Sequence, residues 1–436
     1  MFTLTVVTLR LLDGSARALR LSRPAALGLS LFFLLGLVSS SIAFSPRHAF
    51  FEWANFLLLL GLAWAVAFEI KAKGDRLLDL VLLICALGCA LYLLVEAMLY
   101  VAVLKAGEQP KPNLFIFGFG NYRFFNHVQT ISLPLLALWA MRLRDPGHRA
   151  IGWAVTTLWW MLLYVSAGRG VFVALLLAIA LVWCGLGRAA APWCRQMIFA
   201  ALAGFAAYLL FYVLVPLMNG LKPFGLFFNV VDRSIEDPAS GRFPLWERAL
   251  EMIQTSPWLG AGPNHFAHEA MDLMIAAHPH NWILQIGSEW GLPALLVLMG
   301  VLALALRRLW QLRLTLQAKD HSTLTAWLVT GLAILGDGLV SGLIVMPTSQ
   351  LWIALYLGCA WGWAESRTTT TVLRPIDTQR GRPSAGQRIT VTVGTLLMIY
   401  ALANGLWPEI SKLDVAAEHS EITVPLMPRI WANGIF

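Results

Sequence analysis

Charge is scarce in this chain of 436 residues: Lys, Arg, Asp and Glu together make up 13% of it, against about 25% in an ordinary water-soluble domain. Apolar residues reach 58% and the mean hydropathy is +0.69, which excludes a soluble globular domain and a disordered chain alike. Cysteine is sparse too. The five, Cys85, Cys89, Cys184, Cys194 and Cys359, lie in apolar stretches or beside a short basic loop, without the spacing of a disulfide framework or a thiolate zinc site. There is no internal repeat, no low-complexity tract and no glycine-rich loop ending in Lys-Ser/Thr, which argues against solenoids and nucleotide-cradling loops. No small-residue cleavage pattern follows Arg10, Arg17, Arg20 and Arg23, so the first apolar run is expected to remain as an uncleaved span.

What the chain has is hydrophobic length. A helix crosses the hydrocarbon core with about 20 mostly apolar residues, and that yardstick marks eleven spans, at 24–43, 50–70, 77–104, 122–141, 150–167, 170–187, 196–218, 281–306, 323–344, 348–364 and 389–407. A twelfth span or a re-entrant piece would alter the number. The expected fold is an all-α polytopic membrane protein. With the start of the chain inside, the inner segments hold 21 of the 32 Lys and Arg residues, and this excess of positive charge sets the orientation. The net charge of +8 is then a property of the inner loops, not a nucleic-acid footprint. The expected layout is an N-terminal bundle over 1–218, an outer loop over 219–280, further spans over 281–407 and an outer tail over 408–436.

The loop of about 62 residues stands out against short inner connections, and long patterned loops in compact proteins tend to carry function. Within it, Leu245, Trp246, Ala249, Leu250 and Ile253 recur at helical spacing, with Arg242, Glu247, Arg248 and Glu251 elsewhere around the turn. This predicts an amphipathic helix on the membrane surface or over the bundle, ended by Ser256-Pro257. Four histidines follow within 16 residues: His265, His268, His278 and His280. Imidazole suits zinc, but the spacings are not those of the common zinc motifs and the proline between His278 and His280 stiffens that pair. His265 and His268 read as polar loop residues. Asn281, Gln285 and Glu289 are spaced at i, i+4 and i+8 and predict one polar stripe on the entering span. Such stripes face a cavity or a bundle interior, and an imidazole at the mouth, with a reference pKa of about 6.5, is suited to accept a proton.

Arginines sit where arginine is costly. Arg123 opens one span and Arg169 lies in the turn Ser166-Ala167-Gly168-Arg169-Gly170 between two others. A charge at the membrane centre costs about 2.5 to 3.5 kcal/mol, and less near the interface, so snorkelling would account for one of them. Arg123, Arg169 and Arg242 are all expected at the outer face with His280. Fixed guanidinium charge there matches a diphosphate, whose oxygens it clamps through paired hydrogen bonds. The expected ligand is a phosphorylated lipid.

The turn at 166–170, the run Arg242-Phe243-Pro244-Leu245-Trp246-Glu247-Arg248-Ala249-Leu250, the stretch Ser256-Pro257-Trp258-Leu259-Gly260-Ala261-Gly262 and His280-Asn281-Trp282-Ile283-Leu284-Gln285 together resemble the O-antigen ligase and polymerase superfamily, in order and spacing over roughly residues 115 to 300. The resemblance implies a glycosyltransferase of the bacterial inner membrane with a GT-C-like fold, a periplasmic site, and no metal or ATP cofactor. Such enzymes move a glycan from undecaprenyl diphosphate to an acceptor, which in the ligases is lipid A-core. Carried over by motif, Arg169 and Arg242 would hold the diphosphate and His280 would be the base or an acceptor-positioning group. Arg123, Arg248, His278, Asn281 and Gln285 would contact substrate, and membrane lipids would surround the bundle. His278, two residues before His280, leaves the choice of reacting ring open.

Rivals share the features. A polymerase of O-antigen repeats or a pilin-type oligosaccharyltransferase would use the same donor with another acceptor. A secondary transporter would also have intramembrane charge such as Glu96 and Asp337, but transporters tend to show two similar halves with midplane sites.

Overall fold

The computed structural model describes residues 2–12, 21–111, 121–223, 241–273, 275–369 and 384–419, with 19, 114 and 116–119. In chain order the principal helices are α1 (Phe2–Leu12), α2 (Arg23–Ile42), α3 (Pro46–Lys73), α4 (Asp75–Lys105), α5 (Tyr122–Arg142), α6 (Pro146–Ser166), α7 (Arg169–Leu186), α8 (Ala191–Met218), α9 (Phe243–Thr255), α10 (Phe266–Glu269), α11 (Trp282–Trp290), α12 (Leu292–Leu312), α13 (His321–Asp337), α14 (Pro347–Thr369) and α15 (Ala385–His419). No strand occurs among the described residues, and the chain is an all-α polytopic membrane protein.

Ten of the eleven expected spans are helices near their expected limits, and among the described residues seven helices (α2, α3, α4, α7, α8, α12 and α15 as far as Trp407) are long and apolar enough to cross a membrane. The others are less apolar because of where they lie. Helix α5 is buried almost continuously from Phe125 to Ala140 and includes Asn126, His127, Gln129, Thr130 and Ser132. Helix α13 buries Thr323, Thr325, Thr330 and Asp337. A helix sheathed in protein can carry polar groups that find partners there, whereas one facing lipid cannot.

The span expected over 281–306 is instead broken. Helix α11 ends at Trp290, Gly291 takes φ 88°, and α12 begins at Leu292. The apolar run Trp290-Gly291-Leu292-Pro293 hides this stop, since hydropathy does not register a left-handed backbone. A second departure is α1, an 11-residue helix before the first span. Leu4 is buried with Ala54 and Met398, and Thr8 Oγ1 lies 2.9 Å from Thr395 Oγ1.

Contacts divide the chain into two compact units, one over Met1–Ala72, Gly241–Arg308 and Ile344–Phe436, the other over Lys73–Ser240 and Leu309–Leu343. In the first, Trp290 is 1% exposed and stacks on Phe32 at 4.7 Å. A Cβ on Gly36 would fall 2.1 Å from the Trp290 ring, so only glycine allows α2 so close. At the end expected inside, Glu365 joins Lys71 and Arg308, tying α14 to α3 and α12. In the second, α5 packs on α6, and α13 on α7 and α5. Gln129 Nε2 donates to the Trp159 carbonyl at 2.9 Å, and the Trp159 indole to Ser132 Oγ at 2.8 Å. Helix α8 widens to a π turn at Leu209–Leu214 just before Pro216. Proline lacks the N–H that would continue the ladder, and Tyr100 Oη donates to the carbonyl of Phe211 there.

Candidate functional site

The unit containing α9 and α11 holds Arg242, Arg248 and all four loop histidines. Arg242 is the N-cap residue of α9, whose apolar face buries Leu245, Ala249 and Met252 against Phe266 and Ala270. Each large apolar side chain buried this way contributes about 1.5–3 kcal/mol. The Trp246 indole N–H donates to the carbonyl of Pro279 at 2.9 Å, linking the helix headed by Arg242 to the His278-Pro279-His280 turn. The outer side of α9 bears an open depression of about 570 Å³ lined by Phe243, Trp246, Leu250, Glu247, Glu251 and Gln254. Its two carboxylates have the wrong sign for a diphosphate.

His280 has φ 53°, a conformation that non-glycine residues adopt at a cost. It is half-buried, whereas His278 is 4% exposed. The rings lie 4.1 Å apart at 71°, and the His280 backbone N–H donates to His278 Nδ1 at 3.3 Å. The buried ring thus props the backbone that presents the more accessible one. Asn281, expected in the polar stripe, is the N-cap of α11: its Oδ1 accepts from the N–H groups of Ile283 and Leu284 at 2.9 and 3.1 Å. The Asn281 oxygen is therefore committed to starting the helix. Gln285 is buried on the next turn.

Arg248, expected to contact substrate, is bound within the fold by neighbouring acceptors. Its Nη1 and Nη2 donate to Asp272 Oδ1 and Oδ2 at 2.8 and 2.9 Å, its Nε to Glu251 Oε2 at 3.1 Å, and its Nη1 also to the Glu269 carbonyl. The paired guanidinium holds the Asp272 carboxyl below its ordinary range. Through these acceptors Arg248 ties α9 to the segment after α10.

The glycine-rich stretch is a clamp. The Ala261 and Gly262 N–H groups donate to the carbonyls of Ser288 and Glu289 at 2.9 and 3.0 Å, and Leu292 N–H to Pro257 at 2.9 Å. The first two take up C-terminal carbonyls of α11 that the helix cannot satisfy itself. Gly260 (φ 69°) and Gly291 (φ 88°) pass so closely that an added Cβ would meet backbone at 2.4 Å. Glu289, 1% exposed, accepts from the Phe266 N–H through Oε1 at 3.0 Å. His265 is fully buried: Nδ1 lies 2.9 Å from the Pro263 carbonyl, and Nε2 accepts from the Ser45 N–H at 2.9 Å. That pairing needs the neutral ring with its proton on Nδ1, and burial holds its pKa below the ordinary value. His265 is thus a core member of the clamp, not a loop-surface residue. His268 stacks on Phe44 at 4.4 Å.

The other unit holds Arg123 and Arg169. Arg123 is exposed in the first turn of α5, its backbone N–H capped by Asn121 Oδ1 at 2.9 Å. Arg169 starts α7 after a left-handed Ala167 (φ 55°). Beneath the turn Asn126 Nδ2 donates to Ser166 Oγ at 2.6 Å and to Gln129 Oε1 at 2.9 Å. A Cβ on Gly168 would lie 2.9 Å from Asn126 Cγ, and one on Gly170 would lie 3.0 Å from Asp337 Oδ1. Asp337, 1% exposed, also accepts from Thr130 Oγ1 at 2.8 Å. Sequence reasoning missed Asn126, Gln129 and Thr130 as supports of this turn. The signal available was polar residues spaced through an otherwise apolar span.

Comparisons with known proteins bear on this stretch. Residues 154–299 match the family described as O-Antigen ligase, and all four motifs that carry the resemblance lie inside the match. An O-antigen ligase of Pseudomonas aeruginosa is 34% identical over 137 residues, which is 30% of this chain. The aligned stretch spans about a third of that curated relative's length, 32%.

Proposed function

We propose that the chain is an O-antigen ligase of the bacterial inner membrane, transferring glycan from undecaprenyl diphosphate to lipid A-core at the periplasmic face. The observation that carries this reading is the bond from the Trp246 indole to Pro279, inside the matched stretch, which fixes a candidate diphosphate arginine and a candidate base on one scaffold. An acceptor hydroxyl attacks the anomeric carbon, the bond to the diphosphate breaks, and the anomeric configuration inverts. His280 takes the hydroxyl proton. By their motifs, Arg242, Arg169 and Arg123 are assigned to the charge growing on the leaving diphosphate. His278 positions His280. The diphosphate is itself an activated leaving group, so this chemistry needs neither ATP nor a metal. Phe243 and Trp258, 65% and 76% exposed, suit the headgroup layer, where aromatic side chains anchor.

The test is a reconstituted assay with purified donor lipid and three acceptors: lipid A-core, a second repeat-bearing lipid, and pilin. Transfer to lipid A-core is expected, with Arg242→Ala and Arg169→Ala each lowering it about 10²- to 10³-fold while insertion and thermal midpoint are kept. Transfer only to the second lipid would make it a polymerase, and transfer only to pilin an oligosaccharyltransferase. Transfer to none would refute the reading.

A further inference from the structure

One side chain on α11 is left unused by the fold. Gln285 is 2% exposed, and neither its amide nitrogen nor its carbonyl oxygen has a hydrogen-bond partner. Buried amides are nearly always paired, because an amide stripped of water and left unbonded opposes folding. Its polar neighbours on the helix are engaged within the same unit. Asn281 caps the helix, Ser288 Oγ donates to the Gln285 backbone carbonyl at 3.3 Å, and Glu289 accepts from Phe266.

The position of Gln285 gives the orphan amide a direction. Helical residues four apart share a face, and side chains lean toward the helix N-terminus. Gln285 therefore lies over Asn281, toward the turn that presents His280. The Asn281 oxygen is already spent on two backbone N–H groups, so Gln285 is the first side chain behind His280 whose polar atoms are all uncommitted.

We propose that Gln285 recognises hydroxyl groups of a sugar at the reacting centre, an inference that rests on the glycan-transfer reading above. The amide decides the ligand class. It carries two donor hydrogens and one acceptor oxygen, whereas an ionised phosphate oxygen only accepts. A diphosphate would satisfy the NH₂ group and leave the carbonyl orphaned. Neighbouring hydroxyls both donate and accept, and meet both ends of the amide at once. Gln285 is then a sugar-positioning residue, distinct from the arginines.

The experiment uses the full-length protein in detergent, wild type and Gln285→Leu, a change that keeps similar bulk and removes both polar atoms. Binding is measured for glycan-bearing undecaprenyl diphosphate, for sugar-free undecaprenyl diphosphate and for lipid A-core, with the thermal midpoint alongside. Gln285→Leu is expected to weaken one sugar-bearing ligand about 10- to 100-fold, the worth of two neutral hydrogen bonds. Sugar-free lipid should bind as to wild type. The midpoint should not fall, because replacing an orphan amide with an apolar group removes a penalty. Loss confined to the glycan-bearing lipid assigns the sugar to the donor, and loss confined to lipid A-core assigns it to the acceptor. Unchanged affinity for both would overturn the proposal. So would equal weakening of the sugar-free lipid, or a lowered midpoint with loss of all three. A wild-type protein that binds neither sugar-bearing ligand would overturn the transfer reading and this inference together.

Discussion

The turn before α7 and the turn before α11 use one backbone device for different ends. In each, a non-glycine residue takes a left-handed conformation just ahead of a helix, Ala167 at φ 55° and His280 at φ 53°. At 167 the side chain is a methyl group, so the conformation only redirects the chain toward Arg169. At 280 the left-handed residue is itself the candidate base. The supports differ as well. Buried Asn126, Gln129 and Ser166 lie under the first turn, while a Trp246 indole, a neighbouring imidazole and an Asn281 cap hold the second. Conformation and chemistry are therefore separable at 167 and fused at 280.

Glycine substitution breaks that comparison most sharply. Glycine accepts positive φ freely but loses more chain entropy on folding, so the two effects nearly cancel at both positions. His280→Gly should keep the fold within about 1 kcal/mol by denaturant melts and lower transfer about 10²- to 10⁴-fold, the usual range for a general base. Ala167→Gly should move neither stability nor transfer by more than about a factor of three, equal to ~0.7 kcal/mol.

Between these extremes fall the supports. Asn126→Leu removes the amide that joins Ser166 to Gln129, and a loss of about 1–3 kcal/mol is expected, with a fall in transfer as the Arg169 turn loosens. Circular dichroism melts and the transfer assay check both. Trp246→Phe removes the indole N–H together with part of the ring and leaves the Pro279 carbonyl without its donor, so about 1 kcal/mol or more of stability should go, with transfer reduced less than in His280→Gly.

The clamp beneath the second turn adds a pH dependence through His265. Burial depresses the pKa of His265, so the folded ring stays neutral where the unfolded one, with a pKa of about 6.5, begins to bind a proton. This contribution to stability is complete above that value and is lost as the pH falls through the lower folded value. Protonation would set an N–H on Nε2 against the Ser45 N–H. The melting midpoint should fall from about pH 8 to about pH 5, and His265→Gln should flatten the decline. An equal slope in the variant would put the pH effect elsewhere.

Much of the fold was legible because one solvent property dominates: crossing hydrocarbon demands apolar helical length, and the limits of α2 to α8 follow from it. The break at Gly291 was not, because the clamp that forces it comes from Pro257 to Gly262, some thirty residues earlier. The site was legible by residue type and less so by role. Arg248 and Asn281 have the chemistry of ligands, but their bonds to Asp272 and to the α11 backbone could not be read from residue type. Asn126 and Gln129 were invisible as supports because their partners lie on a neighbouring helix.

The role of His280 is tested most directly by imidazole rescue of the His280→Gly variant with glycan-bearing undecaprenyl diphosphate and lipid A-core. Transfer should be nearly absent without imidazole and rise with its concentration, more steeply as pH passes its pKa. Wild-type transfer by the variant without imidazole would contradict the assignment of His280 as the base.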